Sequence, residues 1–458
     1  MDQAQERQLR IMNDGRLKSG IWLIKYRLAR KATIRCYEDF LRNQRLSRDE
    51  LDALNWQKRK ALLSYAHEKV PFYRKKYAAA GLHPNDIRRP DDYAAVPILT
   101  KEELRRHFRD LVSQDAIPRY LGASTTGGST GVPVKVLFDK RVPLEAYGWR
   151  MMNWWGIAPG ADGAFVWRLI RNRKTDVLLY RWALWPTRRI FLDASSMTPE
   201  AMERFLAEFN TLRPPLLQGY VGAIYELSSF IAGRGLRVHS PKAIWVTSSP
   251  VSVVQRQRIE AVFNAPVYDQ YGCGEVTWLA AQCRQKAALH MFHDGRYIEF
   301  VDENGCLRPC GEPGRIVITN LDEYLFPIIR YANGDMGRSI PGTCPCGVTL
   351  PLMDKVSGRV SDSVRLPEGT CISGDYLTTV FDDYPEAVAA FQVRQASDYS
   401  IRVLYVPDSH AAGLEVVLEK VKGELVKRTR SRVPVSFEAV SAIPHDRGKL
   451  RFVISDVC

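Results

Sequence analysis

From Ser124 to Pro133 the chain reads Ser-Thr-Thr-Gly-Gly-Ser-Thr-Gly-Val-Pro. Ser124, Thr125, Thr126, Ser129 and Thr130 bring hydroxyl donors. Gly127, Gly128 and Gly131 let the main chain approach closely and take φ > 0. Such a segment can curl its N–H groups and hydroxyls around a phosphate chain. No Gly-Lys-Ser follows, so this is not the common nucleotide loop. A flexible Gly/Ser linker is the competing reading.

A second constellation is built on sulfur. Cys344-Pro-Cys346-Gly comes late in the chain, and Cys283 and His290 stand earlier with six residues between them. Three thiolates plus one imidazole would close a tetrahedral structural zinc site and tie two distant segments together. The Cys-x-Cys spacing is tighter than the common Cys-x-x-Cys. Buried free cysteines and a surface histidine are the alternative. Cys273, Cys306 and Cys310 are further candidates, with Cys310, after Pro309, the chief rival.

These groups need elements to hold them. Residues 1 to about 115 read as helical. Arg48 to Lys69 carries leucines near helical spacing, with Ser47 as N-cap. Pro71 is expected to stop that helix, with Phe72-Tyr73 packing beneath. Thr100 opens another helix, with Glu103 placed for a capping box. From about 120 to 340 short apolar runs (Val134–Phe138, Ala164–Trp167, Ile190–Leu192, Leu216-Leu217, Ile244–Val246) alternate with helical stretches such as Pro199–Asn210 and Val221–Arg234. That alternation predicts a largely parallel sheet with helices on its faces. Arg296–Val301 and Arg315–Thr319, with turns nearby, predict a more antiparallel part. Beyond Gly358-Arg359, strands at Gln392, Tyr399–Tyr405 and Phe437–Val440 and a helix over Gly413–Arg430 predict a compact α+β tail. The fold class is therefore α/β, in three parts: a helical region over 1–115, a core over 116–361, and a small C-terminal domain over 362–458.

Composition narrows the partners. Of 458 residues, 45% are hydrophobic, enough for a large core, and no low-complexity tract suggests disorder. Lys plus Arg is 65 and Asp plus Glu 51, a net +14. That surplus suits anionic partners such as nucleotides, coenzyme A or an acidic membrane face. No nucleic-acid motif is recognisable, so nucleic acid is not expected. No stretch of about 18 apolar residues spans a membrane. The opening MDQAQERQLRIMNDG is polar where a signal peptide needs an apolar stretch. An odd count of nine cysteines points the same way, to reduced thiols in the cytoplasm. The basic, partly amphipathic stretch Ile21–Lys31 fits peripheral contact with a bilayer surface or, more commonly, an ordinary helix docked on its own domain.

Taken in order, the motifs resemble the adenylate-forming superfamily, and within it the phenylacetate–CoA ligase-like branch that includes proteins of capsular polysaccharide loci. The resemblance covers nearly the whole chain. It rests on Gln44–Tyr73, Pro97-Ile-Leu-Thr-Lys101, the Ser124–Pro133 loop, Tyr268-Asp-Gln-Tyr-Gly-Cys-Gly-Glu275, Arg330-Tyr-Ala-Asn-Gly-Asp335, Gly358-Arg359 and Ile443-Pro-His-Asp-Arg-Gly-Lys449. Each is weak alone; their order is what carries the resemblance.

The resemblance implies the chemistry. A carboxylate attacks the α-phosphate of ATP, pyrophosphate leaves, and an acyl-AMP anhydride results. Catalysis is then largely positioning and electrostatic stabilisation. Thr125, Thr126, Ser129 and Thr130 would donate to the β- and γ-phosphates, Ser124, Gly127, Gly128 and Gly131 would complete the ATP-binding loop, and Glu275 would hold magnesium. Asp269, Tyr271, Gly272, Asp335 and Arg359 would line the ATP/AMP site, with Tyr271 against adenine and Asp335 on the ribose. Lys449 would reach the α-phosphate and the carboxylate, making Lys449 and Glu275 the catalytic pair. Without that context, Glu275, Asp335 and Lys449 read as a loop carboxylate, a turn residue and an exposed lysine. The family's small domain turns after adenylation. Its hinge usually carries Asp or Lys two positions after the arginine, but Ser361 stands there with Asp362 next; these two are the candidates for the pivot, while the domain boundary is unaffected by the departure.

The implied activity is ATP-dependent activation of a carboxylic acid and transfer to a thiol, first of all coenzyme A. The alternatives are an amide-forming ligase passing the acyl group to an amine, and a non-catalytic relative serving polysaccharide assembly. Trp149, Gln218, Gly219 and Tyr220 would wall an aromatic-acid pocket or belong to the core. The acid is not legible. The expected partners are a small carboxylic acid and coenzyme A or an amine, on a monomer or homodimer, with ATP, magnesium and a structural zinc as cofactors.

Overall fold

A computed structural model describes residues 17–126, 134–168, 184–248, 251, 253–356, 363–368, 371–373, 377, 380–381, 384, 388–407, 413–441, 443 and 453–457. The chain divides into two compact units: residues 1–41 with 143–269, and residues 42–142 with 270–458. The mostly helical residues 17–115 are thus shared between them.

The second unit begins with helices whose ends the sequence specifies. Arg48–Lys69 is one helix; the Ser47 side chain takes the Glu50 N–H while the Glu50 carboxylate takes the Ser47 N–H at 2.8 Å. Pro71 does more than stop it. It occupies the first turn of a new helix, Pro71–Ala79, where its missing N–H costs nothing. Tyr73 on that helix is fully buried; its hydroxyl donates to the Pro327 carbonyl and accepts from the Ile329 N–H. The expected Thr100–Glu103 capping box starts the helix Lys101–Arg106. Strands β1 (Leu121–Thr126) and β2 (Val134–Asp139) then pair antiparallel, Thr126 opposite Val134.

The first unit is the parallel part. Strands β3 (Gly163–Trp167), β4 (Arg189–Asp193), β5 (Leu216–Tyr220), β6 (Ala243–Thr247) and β7 (Val267–Tyr271, through Asp269) lie in the order β4-β3-β5-β6-β7, all parallel. The helices Pro199–Leu212, Val221–Gly233 and Val253–Phe263 connect them, as parallel neighbours require. Ala243–Val246 of β6 is buried throughout, the run of apolar residues a strand covered on both faces needs.

The chain returns to the second unit at Gln270. From there β8 (Ala280–Gln282), β9 (Leu289–Met291), β13 (Ser339–Ile340) and β14 (Leu352–Met353) build antiparallel pairs in the order β8-β9-β14-β13. A separate three-stranded sheet holds β10 (Arg296–Val301), β11 (Gly314–Asn320) and β12 (Tyr331–Gly337). Residues from 363 onward carry β15 (Ser363–Arg365), β16 (Cys371–Ser373), β17 (Val388–Gln395), β18 (Ile401–Pro407), β19 (Val435–Ala439) and β20 (Val453–Ser455). The last four form one sheet, β19-β18-β17-β20, accompanied by the helix Leu414–Arg428. Val364, Phe391, Val403, Val421 and Leu425 belong to a core of this α+β tail's own. The α/β class, with its parallel part, antiparallel part and small C-terminal module, is as expected. Among the described residues no helix is long and apolar enough to cross a membrane.

Candidate functional site

The second unit brings two distant motifs together. Strand β12 begins anchored: Arg330, fully buried with φ 46°, pairs with Glu299 at 3.0 Å and donates to the Ala94, Val96 and Gly305 carbonyls. Leu99 of the Pro-Ile-Leu-Thr segment hydrogen-bonds to both sides of Tyr331, taking Ala332 N–H and giving its own N–H to Arg330 O. Next comes a bulge. Ala332 pairs with Val317 and Met336 with Arg315, so Asn333-Gly334-Asp335 all stand opposite Ile316. Gly334 takes φ 88°, a conformation open to glycine. Bulges of this kind re-aim side chains.

Asn333 and Asp335 both turn to Tyr271. The Tyr271 hydroxyl donates to Asp335 Oδ2 at 2.8 Å, and Asn333 Nδ2 donates to the same hydroxyl at 2.8 Å and to Asp335 Oδ2 at 2.6 Å. Asn333 Oδ1 accepts the Asp335 N–H. Burial, reinforced by the Asp335 charge, pushes the Tyr271 hydroxyl well above its ordinary range. It therefore remains a donor at any working pH. Four residues on, the buried Glu275 accepts from the Tyr331 hydroxyl at 2.8 Å. Tyr271–Glu275 is thus fastened at both ends to β12. Gly272 lies between, where a Cβ would come within 2.9 Å of Gln270 Nε2 and 3.1 Å of Trp278 N.

The Ser/Thr/Gly run is carried by the β1–β2 hairpin. Ser124 faces Val136 and Thr125 faces Lys135 across it. Val134 and Val136 share one apolar core with Leu99, Val276, Leu279 and Tyr331, so the loop's stem rests on the residues that hold Glu275 and β12. Glu323 adds a clamp: it accepts the Asp139 N–H at the end of β2 at 2.8 Å, and the Leu325 and Phe326 N–H groups on its other oxygen. Gly127, Gly128, Ser129, Thr130 and Gly131 lie outside the described residues, as do Arg359, Ser361, Asp362 and Lys449 and the side chain of Thr126.

Asp269 is buried on β7 in the first unit, beside Val246. The residues named for a pocket also lie there. Trp149 is surrounded by Trp22, Tyr26 and Tyr37, with ring centroids 5.0 to 5.8 Å away. Gln218, Gly219 and Tyr220 end β5, with Tyr220 stacked on Trp167 at 4.2 Å. A Cβ on Gly219 would come within 2.8 Å of the Val166 carbonyl, so close strand packing also explains that glycine.

The four candidate sulfur and imidazole groups converge. Cys283 follows β8, His290 lies on β9, and Cys344 and Cys346 sit on the loop between β13 and β14. Their donor atoms fall within 4.8 Å of one another. Cys283 Sγ is 3.6 Å from Cys344 Sγ, and Cys346 Sγ is 3.4 Å from His290 Nε2. A tetrahedron with zinc–sulfur bonds of about 2.3 Å has edges near ~3.7 Å, so this donor set fits the ion. Two backbone groups, Gln285 N–H and Val348 N–H, point at Cys283 and Cys346 sulfur, as suits thiolates. Burial pushes the Cys283 thiol up to about 12 and the His290 imidazole down to about 4. Cys306 and Cys310 are exposed and stand outside this cluster.

Sequence reasoning missed three supporting residues. Asn333 and Tyr331 were inside a quoted motif, and the two-residue period back from Asp335 was the available signal. Glu323 had none.

Similarity to known proteins bears on the family and the fold. Residues 364–456 match the family described as the CapK C-terminal domain. The phenylacetate-coenzyme A ligase of Escherichia coli (strain K12) is 26% identical over 329 residues, 69% of this chain and 72% of that one. Protein CapK of Staphylococcus aureus is 21% identical over 371 residues, 79% and 80% of the two chains. Among solved structures, 2-hydroxyisobutyryl-CoA ligase in complex with 2-HIB-AMP and CoA superposes with a TM-score of 0.66 at 22% identity, over 91% of this chain and 92% of that one. At that identity the likeness establishes a shared fold.

Proposed function

Because the chain belongs to the adenylate-forming enzymes, in their phenylacetate–CoA ligase-like branch, we propose that this AMP-forming ligase activates a carboxylic acid on ATP and transfers it to coenzyme A. The observation that carries the reading is the Tyr271–Asn333–Asp335 network, fastened through Tyr331 to Glu275. Asp335 is the ribose acceptor, its carboxylate oriented by two donors. Glu275 is the magnesium ligand, a hard oxygen donor whose position Tyr331 fixes. Tyr271, with its hydroxyl committed to Asp335, offers its ring to the adenine. The hairpin loop after Thr126 receives the phosphates, together with Arg359. Lys449 meets the α-phosphate and the substrate carboxylate.

In the first step a carboxylate oxygen bonds to the α-phosphorus as the bond to the β-phosphate bridging oxygen breaks. In the second, the coenzyme A sulfur bonds to the acyl carbon and AMP departs. Zinc, held by Cys283, His290, Cys344 and Cys346, pins the β8–β9 turn to the β13–β14 loop; it is structural and takes no part in either step.

The test is pyrophosphate release from ATP across a panel of aryl and alkyl acids, with thioester formation followed separately. Release with at least one acid, and thioester only when coenzyme A is added, is the expected result. Release completed by an amine but indifferent to coenzyme A would replace thioester with amide formation. No release with any acid would overturn the assignment. Lys449→Ala should abolish adenylation while sparing thioester formation from preformed acyl-AMP; equal loss of both would remove Lys449 from its role.

A further inference from the structure

The helix over residues 17–29 belongs to the first unit, and one of its faces is firmly seated. Trp22 is 1% exposed; its ring stacks on Tyr26 at 4.0 Å and meets Trp149 edge-on at 5.0 Å. A Cβ on Gly160, which has φ 79°, would stand 2.5 Å from the Trp22 indole. This anchor fixes the direction of the opposite face. At 100° per residue, Leu17, Ile21, Ile24 and Leu28 fall within an arc of roughly 60° on the side away from Trp22. They are 65%, 38%, 62% and 76% exposed. Trp185, 61% exposed, lies beside the helix, its carbonyl accepting from Lys25 Nζ at 3.2 Å. Single exposed leucines are ordinary, but an aligned row of four over three turns marks an interaction surface.

Charge identifies the partner. From residue 17 to residue 35 the chain carries Lys18, Lys25, Arg27, Arg30, Lys31 and Arg35 and no acidic residue. On the helix, Lys18 and Lys25 border the apolar arc on one side and Arg27 on the other. The acids they meet come from elsewhere and are loosely held: Lys18–Asp162 at 3.9 Å, Arg27–Glu38 at 3.4 Å, Arg30–Glu145 at 4.0 Å. The Arg27 and Arg30 pairs are exposed on both sides; such pairs contribute little and can be exchanged for lipid phosphates. A second copy meeting this face through a twofold axis would set the same cations against each other. An anionic bilayer suffers no such conflict. Leucine and isoleucine side chains enter the acyl boundary while lysine and arginine stems carry their charges to the headgroups.

We propose that the outer face of the 17–29 helix docks this protein peripherally on an anionic lipid bilayer. The proposal is independent of the catalytic reading.

Flotation of the full chain with phosphatidylcholine vesicles, with and without phosphatidylglycerol, tests it. Binding should require phosphatidylglycerol and fall with salt. Ile24→Glu/Leu28→Glu should lower partitioning by about tenfold or more, as expected for lost apolar insertion. Lys25→Glu/Arg27→Glu should do so as well, with both variants keeping the thermal unfolding midpoint of the parent. Three results would overturn the proposal. One is no partitioning of the parent chain. Another is equal partitioning to neutral vesicles. The third is a concentration-dependent dimer, seen by sedimentation without lipid and lost in Ile24→Glu/Leu28→Glu, which would assign the face to a second copy. Because each readout is binding, none depends on finding the acid substrate.

Discussion

Tyr271 donates its hydroxyl to Asp335 Oδ2 at 2.8 Å, and Asn333 holds both partners from the bulge between them. The carboxylate proposed to receive the ribose is therefore oriented by an amide and a phenol before any nucleotide arrives. Asn333→Ala removes the amide without touching the nucleotide's own ligands. A lost hydrogen bond to a charged group costs about 1.5–3 kcal/mol, roughly ten- to a hundredfold in an equilibrium constant. The expected outcome is a KM for ATP raised by that factor with kcat changed far less. Tyr271→Phe should follow the same pattern, and Asn333→Asp should be worse because it sets a second carboxylate beside Asp335. Steady-state kinetics at varied ATP checks this, and an unchanged KM in Asn333→Ala would remove Asn333 from nucleotide positioning.

Glu275 is held by Tyr331 at 2.8 Å. If it ligates magnesium, Glu275→Gln loses the charge the ion needs. The magnesium titration of adenylation should shift to at least about tenfold higher concentration. Tyr331→Phe keeps the carboxylate and loses only its orientation, so a smaller shift in the same direction is expected. A titration unchanged by Glu275→Gln would mean that another group holds the ion.

How much of this was legible depended on the range of the interaction. The capping boxes of Ser47 and Thr100 are local, three residues long, and were readable outright. The parallel part was readable because buried strands such as β6 are short apolar runs between helices. The convergence of Cys283, His290, Cys344 and Cys346 was readable because only a few residue types coordinate zinc. Hydrogen bonds between distant segments were not. Nothing in Asp322-Glu323 announces that the glutamate will cap the end of β2. The role of Arg330, which opens a motif chosen for its aspartate, is to bury a cation against Glu299 and three carbonyls. The apolar face at residues 17–28 was half legible: the sequence showed amphipathicity, while the seating of Trp22 decided which side faces outward.

Zinc content offers a direct measurement. Cys283, His290, Cys344 and Cys346 have donors within 4.8 Å, and Cys310 is exposed elsewhere. The purified chain should carry one equivalent of zinc by elemental analysis. Cys346→Ser should lose the metal and lower the unfolding midpoint by about 2 °C, the shift expected for roughly 2 kcal/mol in a chain of this size. Cys310→Ser should do neither. Zinc retained in Cys346→Ser but lost in Cys310→Ser would reassign the fourth ligand.

Glu323 predicts a pH dependence of stability. Burial pushes its carboxyl up to about 7 from 4.5, against the opposing pull of the N–H groups of Asp139, Phe326 and Leu325. Between those values the native protein keeps a proton that the unfolded chain releases, so stability from this group declines as pH rises from about 4.5 to 7. A shift of that size amounts to about 3 kcal/mol. Glu323→Gln cannot titrate but keeps an oxygen for the Leu325 and Phe326 N–H groups. Relative to the parent, it should therefore gain about 3 kcal/mol between pH 4.5 and 7.5, and the difference should be flat below pH 4. Urea unfolding across that range measures it. A parent–variant difference independent of pH would mean that Glu323 titrates alike in the folded and unfolded chains, and that at neutral pH the end of β2 is capped by a carboxylate rather than by a carboxylic acid.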